Sequence, residues 1–317
     1  MVSRVTAYFK RWRRVPYLYD KFDQFLQEFA AVQRRIDALQ EAVGRIENRQ
    51  LYAGNEDELA RTEFRAFSQF GEDGIIQFLV RNVPLDRKIF VEFGADNYNV
   101  ESNTRFLLTN DNWTGLIIDG SEDAIQSVKR SATYVLYDLR AVTAFITREN
   151  INELLASSGI TGEIGILSID VDGNDYWIWE AIDVVNPAIV IVEYNYRFGK
   201  ELAVTIPYDP AFVRSPPSPS RLYYGASLKA LWLLARRKGY AFVGCSRNGV
   251  NAFFVRADKR PSSLRELTVE EGFVGGSFGE PFELNGECVK LPPEREMALL
   301  DELQLPLVNV EGLLSQS

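Results

Sequence analysis

Between residues 15 and 46 the apolar positions fall at alternating spacings of three and four: Val15, Leu18, Phe22, Phe25, Phe29, Val32, Ile36, Leu39, Val43 and Ile46. That is the a/d seam of a heptad repeat, with charged and amide residues filling the positions between. The pattern predicts one helix of about 48 Å at 1.5 Å per residue. Pro16 suits only a first turn, so the helix is expected to start there or later. An exposed helix of this kind needs something to lie against, either its own downstream domain or another copy of the chain, and a homo-oligomer through residues 15–46 is the expected outcome. Just upstream, YFKRWRRVPYLY interleaves Lys10, Arg11, Arg13 and Arg14 with Phe9, Trp12, Tyr17 and Tyr19. The mixture suits an anionic membrane surface or a polyanionic glycan; a solvated terminus is the plainer alternative.

From residue 88 the pattern changes to short β-branched runs alternating with helical stretches, the signature of a parallel sheet. Strands are expected at 88–93 (KIFVEF), 115–119 (GLIID), 133–137 (TYVLY), 164–170 (IGILSID) and 188–194 (AIVIVEY). Helices should begin near Ser102, Ser121, Arg148 and Asn174. The proline-rich stretch IPYDPAFVRSPPSPSRLYYG reads as a lid or binding loop, or else a linker, and ASLKALWLLARRKG as a helix. In YAFVGCSRNGVNAFFVR an apolar run lies on each side of Asn248-Gly249, the sequence of a hairpin with a type I′ turn. The expected fold is therefore α/β: a Rossmann-like sheet of parallel strands closed by an antiparallel hairpin, with an N-terminal helical coiled-coil extension. Residues 1–50 carry the basic segment and coiled coil, 51–260 the α/β domain, and 261–317 an extension that packs on the core.

Composition narrows the chemistry. At 317 residues and 46% hydrophobic content a sizeable core can form, and a net charge of −9 disfavours a nucleic-acid partner. No uncharged run reaches the roughly 18 residues of a membrane span, and no secretory leader is legible, so a cytoplasmic protein is expected, with the basic aromatic N-terminus free to touch the inner membrane face. Cys245 and Cys288 lie far apart and form no thiolate cage. Most informative is the absence of histidine. Any proton acceptor must be a carboxylate, lysine or tyrosine, or a metal must acidify the substrate.

The candidate site residues sit where strands end. Gly94 and Ala95 turn sharply after the first strand, with Glu92, Asn97 and Asn103 supplying polar contacts, and the absence of GxGxxG argues against a dinucleotide pyrophosphate. Asp119 closes the second strand, where a carboxylate can accept hydrogen bonds from two ribose hydroxyls; Gly120 leaves room for the nucleoside, and Ser121 either lines the site or caps the next helix. Asp138, taken to follow the third strand, could reach an adenine amino group. Asp170 and Asp172 stand two apart where the fourth strand ends, while Asn174 or Asp175 can cap the helix after them. Glu193 and Asn195 share a face at the end of the fifth. The two ends form an oxygen-rich cluster suited to Mg²⁺ or Mn²⁺, or to a carboxylate base. Asp170, Asp172 and Glu193 are the candidate catalytic groups; Asp170, Glu193 and Asn195 are the candidate metal ligands.

FSQFGEDGII, VEFGADNYNVESNTRFLL, ENINELL, LSIDVDGNDYWIWEAI, IVIVEYN and YYGASLKALWLLARRKGYAFVGCSRNGVNAFFV together resemble FkbM-type members of the class I S-adenosylmethionine-dependent methyltransferases, over about residues 64–257. The resemblance implies O-methylation of a sugar or glycan-associated hydroxyl, with S-adenosylmethionine held by the ends of strands one to three. It also implies acidic metal ligands after strands four and five; Glu193 and Asn195 stand where an Asp pair is expected. Two other functions are compatible with the fold: a non-catalytic scaffold assembled through its heptads, and a nicotinamide-dependent reductase, which the missing phosphate cradle opposes.

Overall fold

The computed structural model describes residues 14–53, 59–96, 98, 99, 101–214, 222–276, 281–284, 287–302 and 304–314. Residues 8–13 of the basic aromatic segment lie outside them, as does Asn97, while residues 14–19 of that segment open the first helix. The heptad segment is one helix, α1 (Arg14–Ala53), 40 residues and so about 60 Å long. It starts just ahead of Pro16, which falls in the first turn where a missing N–H breaks no intrahelical bond. The flank of α1 that touches the domain is not the seam. Gly44 and Asn48 are buried there, and a Cβ on Gly44 would lie 2.8 Å from the Phe106 ring.

The domain follows in the order α2 (Glu72–Asn82), β1 (Ile89–Phe93), α3 (Arg105–Asp111), β2 (Thr114–Asp119), α4 (Glu122–Arg130), α5 (Ala132–Leu136), β3 (Leu139–Thr143), α6 (Ile151–Ser157), β4 (Gly162–Ile169), α7 (Asp175–Ala181), β5 (Val185–Glu193), β6 (Val204–Thr205), α8 (Leu228–Arg237), β7 (Tyr240–Cys245) and β8 (Asn251–Arg256). Seven of these strands form one sheet in the order β3-β2-β1-β4-β5-β8-β7. The first five are parallel, and β8 runs antiparallel to both β5 and β7. This is a Rossmann-like sheet of parallel strands closed by an antiparallel pair, the α/β arrangement expected from the sequence. The central strands are apolar throughout because both faces are covered. In β5, Ile189 and Ile191 face α2, α3 and α4, whereas Val190 and Val192 face α6, α7 and α8.

Two local expectations are corrected. The run TYVLY is helical: Ser131 caps α5 by accepting from the Tyr134 N–H, and Val135 and Leu136 are exposed. The strand is the less apolar LRAVT that follows, which pairs on one side only and buries alternate residues Leu139 and Ala141. The hairpin forms where expected, but of its two turn residues only Gly249 has positive φ (76°), and the Gly249 N–H donates to the Ser246 carbonyl. The loop is therefore longer than a two-residue type I′ turn, and the Ser246 hydroxyl, which accepts from the Asn251 N–H, closes it.

Beyond the hairpin come α9 (Val269–Gly272), a strand pair β9 (Pro281–Leu284) and β10 (Glu287–Lys290), α10 (Pro293–Glu302), β11 (Val308–Asn309) and α11 (Glu311–Leu314). β11 pairs antiparallel with β6, so the C-terminal segment is stitched to the chain that leaves β5.

Candidate functional site

A cavity of about 540 Å³ opens at the carboxyl ends of β1 to β5, where ligands bind in open α/β sheets. Its first half is organised around a backbone turn. Gly94 has φ 69°, and a Cβ there would lie 1.8 Å from the Asp170 carbonyl oxygen, so the turn after β1 can pass the end of β4 only as glycine. The following loop is held in uncommon conformations, with Asp96, Tyr98 and Glu101 all at positive φ. Such strain persists only where the surroundings fix it, and the fixing group is Glu92. Its carboxylate accepts from the Asn103 N–H (2.7 Å), the Ser102 hydroxyl (2.9 Å) and the Thr104 hydroxyl (2.5 Å). At the end of β2, Asp119 accepts from the Asp96 N–H (3.0 Å) and the Ser121 N–H (2.7 Å), one on each oxygen. Each oxygen keeps a lone pair for a ligand hydroxyl. Ala144, Phe145 and Ile146, just beyond β3, complete this half.

The second half is made of charged side chains. Asp170, Asp172 and Glu193 each bring a carboxylate oxygen within 4.8 Å of the other two. Asp172 has φ 55°, so the extended geometry that the spacing suggested is not what aligns it with Asp170; the turn is. That turn is fixed by Asp175, which accepts from the Val171 N–H (2.8 Å) and the Gly173 N–H (3.0 Å). Asn174 occupies the N-cap position of α7 without a side-chain cap bond; its amide instead donates to the Asp209 carbonyl, tying down the long loop after β6. From that loop Arg214 donates to Asp172 (2.6 Å) and lies 3.7 Å above the Tyr224 ring. Arg197, after β5, donates through Nε to Glu296 of α10 (2.7 Å), and the Tyr196 hydroxyl donates to the same oxygen. Glu296 is fully buried, and the C-terminal segment thereby helps to set this wall.

Crowding of carboxylates has an electrostatic cost. Burial, and after it the Asp172 and Asp175 carboxylates, push Asp170 well above the ordinary carboxylate range. Glu193 rises in the same way, by burial and then by Asp170 and Asp172. Both carboxylates thereby gain affinity for a proton. The Glu193 Oε2 atom is buried without a partner among the described residues.

Of the residues singled out from sequence, Gly94, Ala95, Asp119, Gly120, Asp170, Asp172 and Glu193 line this cavity. Glu92 and Asn103 stand behind it as the brace of the first loop, and Asn103 also donates to Ser168. Ser121 is the N-cap of α4, accepting from the Ala124 N–H. Two placements are corrected. Asp138 precedes β3 instead of following it, because TYVLY is not the strand; it accepts from the Thr114 hydroxyl at the opposite end of the sheet from the cavity. Asn195 does not join the oxygen cluster: its amide donates to the Leu222 and Tyr224 carbonyls and its oxygen accepts from the Arg197 N–H. Asp172 takes the third place. Sequence reasoning missed Gln69, Phe145, Arg197, Phe212, Arg214 and Tyr224. The lid-like loop was legible as a region, but nothing marked Arg214 or Tyr224 within it. Apart from Gln69, the segment FSQFGEDGII serves as scaffold: Asp73 accepts from the Ala66, Phe67 and Ser68 N–H groups, and Glu72 from those of Phe70 and Gly71.

No protein-family model and no curated protein sequence matches the chain. Among solved structures it is similar to M. capricolum TrmK in complex with S-adenosyl-homocysteine, at 13% identity and a TM-score of 0.37 over 62% of this chain and 74% of that one. An S-adenosylmethionine-dependent methyltransferase from Clostridium acetobutylicum matches at 12% identity and a TM-score of 0.36, over 58% of this chain and 89% of that chain. An O-methyltransferase family protein from Burkholderia thailandensis matches at 11% and 0.36, over 58% of this chain and 57% of that one.

Proposed function

We propose that the chain is an S-adenosylmethionine-dependent O-methyltransferase whose acceptor is a hydroxyl of a sugar or glycan. The observation that carries this reading is the juxtaposition in one cavity of a phosphate-free nucleoside cradle and a partly buried carboxylate cluster, joined where Gly94 passes the Asp170 backbone. The cradle fits the cofactor. Asp119 retains acceptor capacity for ribose hydroxyls, Gly120 leaves the cavity wall open beside it, and the residues after β3 can cover a base. When bound, S-adenosylmethionine supplies an electrophilic methyl group on a sulfonium.

The protein's own part is to orient the acceptor and take its proton. A sugar hydroxyl is too weak an acid to ionise unaided, and with no histidine present the carboxylates are the bases at hand. Burial and the neighbouring carboxylates raise the proton affinity of Asp170 and Glu193, which suits a carboxylate of this pair to accept the hydroxyl proton as the oxygen attacks. The rings of Tyr196, Phe212 and Tyr224, with the guanidinium of Arg214, offer a surface on which a polyhydroxylated ring can both stack and hydrogen-bond.

The unpartnered Glu193 oxygen favours a second form of the same chemistry. Asp170, Asp172 and Glu193 fit a hard divalent cation such as Mg²⁺ or Mn²⁺, which prefers oxygen ligands and would acidify the hydroxyl. Calorimetry against S-adenosylhomocysteine and NADH, followed by methyl transfer to a panel of glycans with and without EDTA, tests both. Binding of the former ligand and transfer to a glycan are expected. Failure to bind it would leave the fold as a scaffold, binding of NADH instead would make the chain a reductase, and activity indifferent to EDTA would leave the carboxylates as the base.

A further inference from the structure

We infer that two copies of this chain associate antiparallel through α1, seam to seam. In the protomer every heptad position whose side chain is described points to solvent: Phe22, Phe25, Phe29, Val32, Ile36, Leu39, Val43 and Ile46 range from 44% to 66% exposed. The opposite flank is already committed to the domain. Asp37 accepts from Arg105 (2.9 Å), Gly44 lies against Phe106, and Asn48 donates to Gln77 (2.8 Å) while accepting from Arg81 (3.1 Å). Rolling the seam inward would break a largely buried ion pair and these hydrogen bonds in one movement. The intramolecular solution is therefore taken by the other flank, and the seam stays free.

What covers the seam must itself repeat every 3.5 residues along most of α1. Among the described residues the next longest helix is α2, with 11 residues, which is too short. A second copy carries the matching seam by construction. The order of side chains sets the direction. Large aromatics fill the first half of the stripe (Phe22, Phe25, Phe29) and smaller aliphatics the second (Val32, Ile36, Leu39). An antiparallel pairing places Phe22 beside Leu39, Phe25 beside Ile36 and Phe29 beside Val32 of the other copy, so every layer has a large and a smaller member. A parallel one would crowd ring on ring at one end and leave the other end thin. The antiparallel register also sets Glu28 opposite Arg35 on the seam's edge, where opposite charges fix the partner's orientation. The area suffices: aromatic side chains cover about 150–250 Å² each, so eight half-exposed positions remove roughly 800 Å² per copy, the size of a stable interface.

Light scattering on the full chain at micromolar concentration should give twice 36.0 kDa. Phe25→Glu with Leu39→Glu should halve that mass while leaving the melting of the domain in place, since both residues are exposed in the protomer; Asp23→Ala, off the seam, should leave the mass unchanged. For direction, an equimolar mixture of Phe22→Cys and Leu39→Cys chains should cross-link on oxidation, whereas Leu39→Cys alone should not. A monomeric full-length protein overturns the inference, including one that is captured by anionic vesicles instead, and cross-linking of Leu39→Cys with itself overturns the antiparallel pairing.

Discussion

The two halves of the cavity are built on opposite plans. Beyond β1 to β3 the wall is organised by the backbone: a glycine turn and a strained loop, tied to a carboxylate whose oxygens each accept one N–H. Beyond β4 and β5 it is charge: three clustered carboxylates, with Arg214 from a loop some forty residues downstream and Arg197 braced by Glu296 from the far end of the chain. A ligand of fixed structure can be met by a fixed backbone surface. Placing a proton and an acceptor instead needs groups whose ionisation the protein controls, and burial beside like charge is how that control is exerted.

The largest effect should come from the charged half. Asp170→Asn is expected to lower methyl transfer by about 100-fold or more, the scale of losing a general base. Its affinity for S-adenosylhomocysteine should stay within about twofold by calorimetry; a parallel loss of cofactor binding would mean that the halves are not separable. Next is the brace. Glu296→Ala leaves Arg197 buried without its carboxylate, which typically costs about 3–5 kcal/mol, read as a lowered denaturant midpoint. Glu296→Gln, which keeps an acceptor for Tyr196, should lose less. If neither variant differs from the parent, the C-terminal segment does not hold this wall.

In the backbone half, Asp119→Ala should weaken S-adenosylhomocysteine binding by about 1–3 kcal/mol, the scale of charge-assisted hydrogen bonds, with acceptor affinity little changed. Unchanged cofactor affinity would move the ribose elsewhere. The charged half should also contribute a pH response. Burial pushes Asp175 up to about 6, and Asp170 and Glu193 higher than usual. The folded protein therefore keeps protons that the unfolded chain has lost once pH exceeds about 4, so stability falls as pH rises through 6 and beyond. A melting temperature lower by roughly 5 °C at pH 7.5 than at pH 5 is expected, and Glu193→Gln should flatten the slope. A stability that climbs over this range would mean the carboxylates are stabilised as anions. The smallest effect is the control: Asp138→Ala, at the wrong end of β3, should leave cofactor binding unchanged, and any clear loss would contradict its placement.

Much of the first half was legible in sequence because a turn at a strand end is a local matter. Gly94 and Asp119 could be read from strand, break and spacing alone. Asp138 was misplaced for the same reason, since its reading depended on one short apolar run, and at a sheet edge such a run can serve as a helix while the less apolar LRAVT forms the strand. In the second half the sequence reading named Asp170, Asp172 and Glu193 as catalytic candidates but put Asn195 in place of Asp172 among the metal ligands, whereas it is Asp172 that stands in the oxygen cluster. Which oxygens face the cavity is decided by φ at a single turn residue and by whether an amide is already claimed by neighbouring carbonyls.

By itself, then, the sequence determined the alternation that makes a buried parallel sheet, the hairpin that closes it, the heptad stripe, and the exclusion of histidine chemistry. These follow from periodicity and composition, which act over a few residues at a time. Only the tertiary structure decided that α1 turns its polar flank to the domain and its stripe to solvent, and that Arg214 meets Asp172. It alone also brought Glu296 against Arg197 across 99 positions of sequence. Such contacts depend on where separate segments dock, and no local pattern encodes the partner of a buried charge that lies a hundred residues away.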